Sequence, residues 1–287
     1  MLKSPIPAIF SYIYGIIKLV NNIEIIVATH KKYAFPKGKD YVPLHVGAKL
    51  SKEDLKIARD DTGDNISEKN PSFCELTGFY WLSKNSKADF LGLVHYRRLF
   101  TLKSGRIKPE DSIDSALSDK EIDELVKNYD LILPKPRNYY IETLWSHYEH
   151  TLHVAPLIKT REIIKKSYPE YLKEFDRLKT RKTAHMFNML IGKRELITEY
   201  SDWLFKVLFE LEKELEKSKE AKKYDSFHSR FYGRISELLL DVWLYTKHPN
   251  LKIKELRVVD VEGVNWFKKG TSFLLAKFGG KKYGKSF

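Results

Sequence analysis

The sequence predicts an α/β protein, in which helices cover a sheet of buried strands. Three short apolar runs, at residues 22–29, 90–94 and 129–134, have the composition of buried strands. Amphipathic segments with helical spacing lie between and after them, at 71–84 and 203–215. This alternation is typical of an open α/β sheet, in which ligands sit at the carboxyl ends of the strands.

Length and composition indicate a folded protein with an anionic partner. The 287 residues are 43% hydrophobic and 13% aromatic, enough to bury a substantial core. Fifty-one basic and 38 acidic residues give a net charge of +13, which favours nucleic acid, a membrane surface or a phosphorylated substrate. The single cysteine, Cys74, excludes an intrachain disulfide and a cysteine-rich zinc site, so a reducing cytosol is the simpler compartment.

The strongest local signal is a buried run, 90–94, that ends in the sequence His95-Tyr96-Arg97-Arg98. Two adjacent arginines at the carboxyl end of a strand suit a phosphate group. A solvated pair closing an ordinary strand is the alternative interpretation. The run 129–134 is also followed by basic residues, which strengthens the phosphate interpretation.

Three other clusters carry weaker signals. The acidic segment 60–64 lacks the terminal glutamate of a calcium loop, so a hydrogen-bonding loop is the better interpretation. Histidines at helical spacing within 147–153 have no accompanying ligand pattern, which disfavours a metal site there. Asn188 is predicted inside an apolar strand, where a buried amide needs backbone or ligand partners.

The two ends of the chain differ from its middle. Residues 9–20 are apolar, but they are too short to span a bilayer and Lys18 interrupts them. They either lie in a membrane interface or pack on the protein. The segment 263–287 contains six lysines and no carboxylate among aromatic residues, which suits an anionic membrane surface. Nucleic acid is the rival, but no nucleic-acid-binding signature is present.

The combined motifs resemble a known family. The pattern DNIS-x2-N-x3-CELT-x2-YW, followed by DFLGLVHYRRLF, is similar to a bacterial family first catalogued as a domain of unknown function. Its genes occur in capsular-polysaccharide and O-antigen clusters. Its members are regarded as GT-A glycosyltransferases, some of them galactofuranosyltransferases. The similarity covers roughly residues 22–247.

The resemblance implies a GT-A-like fold: a mixed, mainly parallel sheet flanked by helices, with a helical C-terminal part. It implies three regions: an apolar N-terminal segment at 1–21, the transferase domain at 22–250 and a basic aromatic tail at 251–287. The first half of the domain would bind the nucleotide and the second half the acceptor. The residues expected to contact substrate are Ala28, Thr29, His30, Asp64, Asn65, Glu75, His95, Tyr96, His185 and Asn188.

The sequence departs from many GT-A enzymes because it has no Asp-x-Asp metal motif at the HYRR position. Arg97 and Arg98 are the candidate catalytic groups that replace the metal by stabilising charge on the departing diphosphate. We therefore expect no metal cofactor. Magnesium or manganese remains an alternative, and its candidate ligands are Asp60, Asp61, Asp64 and Asp130.

An inverting transferase also needs a base that deprotonates the acceptor hydroxyl. In GT-A enzymes this group is often a carboxylate near a late helix, and Glu237 is the best match. The alternative role for Glu237 is a first-turn glutamate that is favoured by the helix dipole. Asp202 and Glu75 are the reserve candidates.

The sequence therefore predicts an enzyme, a cytoplasmic glycosyltransferase bound peripherally at the inner face of the plasma membrane. It would move a hexose, galactose or galactofuranose, from a UDP-sugar to a lipid-linked saccharide acceptor in surface polysaccharide synthesis. A phosphotransferase is one alternative, although no Walker motif is present. A non-catalytic nucleic-acid-binding or polysaccharide-binding protein is the other.

Overall fold

The structure is a computed structural model that describes residues 21–218, 224–226 and 228–262. The apolar N-terminal segment, apart from residue 21, and the basic aromatic stretch 263–287 lie outside the described residues. Within the described residues, no helix combines the length and the apolar composition needed to cross a bilayer.

The described residues form a mixed eight-stranded sheet, a small two-stranded sheet and eight α-helices. The large sheet has the order β3-β2-β1-β4-β5-β10-β6-β9, and β9 also pairs with β4. The strands are β1 (Ile23–Thr29), β2 (Tyr41–His45), β3 (Ala58–Arg59), β4 (Phe90–His95), β5 (Arg98–Thr101), β6 (Leu131–Pro134), β7 (Arg137–Asn138), β8 (Thr183–Ala184), β9 (Leu190–Lys193) and β10 (Ile253–Asp260). The helices are α1 (Asn70–Phe73), α2 (Leu76–Asn85), α3 (Asp119–Asn128), α4 (Leu144–Thr151), α5 (Ala155–Ser167), α6 (Leu172–Asp176), α7 (Arg194–Lys217) and α8 (Phe231–Lys247).

The α/β class and the mixed sheet are confirmed, but the sheet is not confirmed as mainly parallel, because four pairings run each way. The pairings β1–β2, β1–β4, β2–β3 and β6–β10 are parallel. The pairings β4–β5, β5–β10, β4–β9 and β6–β9 are antiparallel. Apolar patterning marks a buried strand but carries no information on its direction, so the proportion of parallel and antiparallel pairings could not be predicted from it.

The predicted buried run at 90–94 and the residues after it form two strands joined by a tight turn. His95 at the end of β4 pairs with Arg98 at the start of β5, which leaves Tyr96 and Arg97 in the turn. A two-residue connection is the shortest that reverses a strand, and it holds the intervening side chains at the sheet edge. The HYRR sequence is therefore the tip of a hairpin.

The large sheet includes a strand from the stretch after residue 250. Strand β10 (Ile253–Asp260) lies between β5 and β6, and its Leu256 and Val259 are buried. Four of its eight residues are charged, so its composition resembles a solvated tail. Pairing on both edges makes the strand internal to the sheet.

The predicted helix at 71–84 is broken at Cys74, whose φ of +55° ends α1. Asn70 does not cap α1. Its side-chain amide instead donates a 2.7 Å hydrogen bond to the Cys74 carbonyl across the break. A non-glycine residue with positive φ is strained and needs support from its surroundings. Glu75 follows this break, so the distortion orients Glu75 toward the sheet edge.

Asp60 belongs to a hydrogen-bonding loop, as the sequence favoured. Its carboxyl group is fully buried and accepts hydrogen bonds from the amides of Gly47 and Ala48 at 2.9 and 3.0 Å. It also accepts from the hydroxyls of Ser67 and Thr77. Four donors satisfy both carboxyl oxygens, so Asp60 joins the loop after β2 to α2.

Candidate active site at the strand ends

A cleft of about 290 Å³ opens at the carboxyl ends of β1 and β4. The hairpin tip forms one wall, the break between α1 and α2 contributes a second, and α4 and α8 enclose the remainder. This position is where an α/β sheet binds ligands. The charged and titratable residues that line the cleft are His30, Cys74, Glu75, His95, Tyr96, Arg97, Arg98, Arg137, Tyr139, His147, Tyr148, Arg230, Arg234 and Glu237.

The structure brings together eight of the residues expected at the site and leaves five outside the cleft lining. The eight are Ala28, His30, Glu75, His95, Tyr96, Arg97, Arg98 and Glu237. The five are Thr29, Asp64, Asn65, His185 and Asn188.

Two of the five outlying residues, His185 and Asn188, support the cleft from behind, Thr29 and Asn65 bond within their own loops, and Asp64 contacts α2. The Thr29 hydroxyl donates to the Lys31 carbonyl at 2.7 Å. Asp64 is exposed and accepts from the Tyr80 hydroxyl at 3.1 Å. The Asn65 amide donates to the Gly63 carbonyl. None of these three side chains lines the cleft, because Thr29 and Asn65 bond to nearby backbone carbonyls and Asp64 bonds to Tyr80 on α2.

Glu237 lies inside α8, six residues after Phe231 begins the helix, and not in its first turn. Its carboxyl accepts the Phe187 N–H at 2.9 Å. Burial, and then the nearby charge of Glu75, raise the pKa of Glu237 from 4.5 to about 7, against the opposing effect of Arg234 and Arg98. A carboxyl with a pKa near 7 can exchange a proton at neutral pH.

Asn188 links Glu75 to α8. It precedes β9 with a φ of +54°, so it is not inside a strand. Its amide nitrogen donates to Glu75 at 2.6 Å and to the Gly233 carbonyl at 3.0 Å. Its oxygen accepts the Ser236 hydroxyl at 2.7 Å, so Ser236 is not a helix cap. Protein groups, including the Gly233 backbone carbonyl, therefore supply the hydrogen-bond partners that were predicted for the Asn188 amide.

His185 anchors the same segment on α8. Its backbone N–H and its ring Nδ1 both contact Asp241, which also accepts from Arg181 at 3.0 Å. Burial acts to lower the pKa of His185, but the hydrogen bond and charge of Asp241 outweigh it and raise the pKa. His185 therefore holds the segment that places Phe187 and Asn188, and it does not line the cleft.

The hairpin arginines have carboxylate neighbours from the end of β10. Arg97 pairs with Glu262 at 3.1 Å, and Arg98 lies 3.8 Å from Asp260. The Arg98 guanidinium also covers the Phe187 ring, 4.7 Å from its centroid. Both arginines thus face the cleft while their charge is partly balanced from outside it.

Sequence reasoning missed the cleft residues Tyr148, Arg230 and Arg234, whereas Arg137 is one of the basic residues that follow the run 129–134. Arg230, the residue just before α8, and Arg234 are four residues apart, a spacing typical of one helix face, and Glu237 follows three residues later. That spacing could have identified both arginines from the sequence. Nothing in the local sequence marked Tyr148, because only the tertiary fold turns α4 toward the cleft.

The remaining acidic candidates lie elsewhere. Asp202 pairs with Lys84 at 2.6 Å, Asp61 with Arg59 at 2.7 Å and Asp130 with Lys193 at 3.1 Å. Two of the clustered histidines, His147 and His150, contact the buried carboxyl of Glu142 through their Nδ1 atoms. Among the described residues, no group of three or more potential ligands is arranged to hold a metal ion.

The fold and the cleft place the chain in a defined family. It belongs to the family described as domain of unknown function DUF4422, whose model matches residues 24–248. The chain is also similar to the solved apo structure of WbbM, a bifunctional glycosyltransferase, with a TM-score of 0.76 and 31% identity over 85% of its length. It spans 46% of the WbbM chain. No curated protein matches it.

Replacing Glu237 with glutamine should stabilise the protein in a pH-dependent manner. Between pH 4.5 and about 7 the native state retains a proton that the unfolded state releases, so native stability falls as pH rises through this window. The neutral glutamine avoids this loss. We expect Glu237→Gln to exceed wild type by up to roughly 3 kcal/mol above pH 7, with a difference that shrinks toward pH 4.5.

Urea denaturation at pH 5 and pH 8 measures this effect. A stability difference that is the same at both pH values would contradict the raised pKa of Glu237. Asp202→Asn, a surface carboxylate paired with Lys84, serves as the matched control.

Proposed function

We propose that the chain is a glycosyltransferase that moves a hexose, galactose or galactofuranose, from a UDP-sugar to a lipid-linked oligosaccharide in surface polysaccharide synthesis. Its family membership and its similarity to a bifunctional glycosyltransferase support this assignment. The observation that carries the proposal is Glu237, a carboxyl with a pKa of about 7 in a cleft lined by arginines.

Glu237 acts as the base in an inverting transfer. About half of its population is ionised at neutral pH, so it can accept the proton of the acceptor hydroxyl. The hydroxyl oxygen attacks the anomeric carbon as the bond between that carbon and the diphosphate oxygen breaks. The proton ends on Glu237, and the nucleoside diphosphate leaves with its extra negative charge. The Phe187 N–H at 2.9 Å orients the carboxyl for this step.

Arg97 and Arg98 stabilise the charge that develops on the diphosphate. Both line the cleft on the hairpin tip, and the turn holds them in place before the reaction begins. Preorganised cations of this kind lower the barrier because they need no reorientation as charge develops. The candidate metal ligand Asp60 has both carboxyl oxygens bonded to protein donors, which supports transfer without a metal.

Glycosyl transfer should therefore survive metal removal. We expect UDP to raise the melting temperature equally with excess EDTA and with manganese, because arginines supply the positive charge. Transfer from UDP-galactose should continue in EDTA. Complete loss of activity in EDTA, restored by manganese or magnesium, would overturn the metal-independent mechanism.

Glu237→Gln should lower turnover by at least about 100-fold, the contribution expected of a general base. The UDP-induced thermal shift should persist, because the diphosphate contacts are on the hairpin. Asp202→Asn should keep normal turnover, since Asp202 lies outside the cleft. Near-normal turnover in folded Glu237→Gln, measured by release of UDP, would remove Glu237 from the mechanism.

We further propose that the protein acts in the cytoplasm at the inner face of the plasma membrane, where lipid-linked acceptors are reached. The basic and aromatic composition of 263–287 supports this location. Deleting residues 264–287 should shift the protein from vesicles containing anionic lipid to the soluble fraction in a sedimentation assay. Unchanged sedimentation would contradict membrane attachment through this segment.

A further inference from the structure

In the part of the chain that the structure describes, five arginines line the cleft: Arg97 and Arg98 on the hairpin, Arg230 just before α8, Arg234 on α8 and Arg137 on β7. The first group is the hairpin pair, Arg97 and Arg98. The charges of Arg98 and Arg234 both act to lower the pKa of Glu237. Glu237 therefore lies near the hairpin and also near cations that belong to other elements.

A second surface, here called the far wall, consists of Arg137, Tyr148 and Arg234. The three residues come from three elements, β7, α4 and α8, and all line the cleft. The charge of Arg234 acts on the Tyr148 hydroxyl. Arg137 lies over the Tyr139 ring, 4.8 Å from its centroid, which holds its guanidinium against the wall.

The far wall has hydrogen-bond donors that the described protein does not satisfy. Tyr148 is 4% exposed, and its hydroxyl has no hydrogen-bond partner. Among the described residues, Arg137 has no carboxylate within 4 Å, in contrast to Arg97 and Arg98. A buried hydroxyl without a partner is costly, and a cleft cation without a counterion attracts an anion. Both observations point to an acidic ligand.

We propose that the far wall binds a carboxylate or phosphate group carried by the acceptor saccharide. The inference rests on the proposed glycosyl transfer, because Glu237 defines where the acceptor hydroxyl lies. Arg234 precedes Glu237 by three residues, or about 4.5 Å along the helix axis. The acidic group therefore belongs to the sugar that accepts the hexose or to its direct neighbour, and not to a distant lipid diphosphate.

The position of the far wall also explains why the diphosphate of the sugar donor binds only the hairpin arginines. In a direct displacement the leaving group and the attacking hydroxyl lie on opposite sides of the anomeric carbon. Diphosphate at the hairpin thus places the acceptor on the other side of the cleft, against the far wall. A neutral acceptor would leave the Arg137 guanidinium and the Tyr148 hydroxyl unpaired, so the wall selects for an acidic one.

Calorimetric titration of the UDP-saturated protein tests the proposal, because UDP occupies the hairpin side. The probes are glucuronate, glucose 6-phosphate and neutral glucose. We expect at least one acidic probe to bind at least tenfold more tightly than glucose, and the preferred one identifies carboxylate or phosphate as the natural group. Equal binding of all three, or displacement of UDP by the acidic probes, would overturn the far-wall site.

Substitutions of far-wall residues test whether the acidic probe binds at the far wall. Arg137→Gln should weaken the acidic probe at least tenfold, as expected for loss of a charge-assisted hydrogen bond, and Tyr148→Phe should weaken it less. Arg106→Gln, on an exposed loop outside the cleft, is the charge-matched control and should bind as wild type does. Wild-type binding by both Arg137→Gln and Tyr148→Phe would refute the assignment.

These experiments distinguish failure of the far-wall site from failure of the proposed glycosyl transfer. If UDP does not bind, the transferase proposal fails, and titration of the nucleotide-free protein still tests the far wall. In that experiment a probe at the far wall is sensitive to Arg137→Gln and insensitive to Arg97→Gln. The opposite sensitivity places the probe at the hairpin and overturns the proposal.

Discussion

The attachment of residues 185–188 to α8 is the constraint on which the cleft depends. Asp241 holds His185, Glu237 accepts the Phe187 N–H, and Ser236 and the Gly233 carbonyl bind the Asn188 amide group. Phe187 and Asn188 both have positive φ, a conformation that costs free energy and persists only when neighbours enforce it. One helix therefore supplies the proposed base and also positions the segment that orients it.

This attachment also fixes the position of the opposite wall of the cleft relative to α8. Asn188 reaches Glu75 at the break between α1 and α2, so α8 and the break are held at one separation. The Phe187 ring lies under the Arg98 guanidinium and connects the same segment to the hairpin. Phe187 and Asn188 thus contact three walls of the cleft, and these contacts explain why both residues adopt a strained backbone.

The electrostatics of the cleft follow from this packing. Burial and the charge of Glu75 raise the pKa of Glu237, while the charges of Arg234 and Arg98 act in the opposite direction. The result is a carboxyl that changes protonation near pH 7 in a cleft lined by arginines. Strand β10 completes the arrangement, because Asp260 and Glu262 at its end balance the hairpin arginines from outside.

The sequence by itself determined the α/β class and the buried strands, because periodicity and composition are local properties, and its family motifs placed Glu75, Arg97, Arg98 and Glu237 among the expected site residues, all of which line the cleft. Tertiary structure decided the rest. Strand direction, the place of β10 inside the sheet and the approach of Arg137 and Tyr148 to the cleft depend on contacts between residues far apart in sequence. Local patterns do not encode those contacts, so Asp64 and Asn65 were expected in a cleft that they do not line.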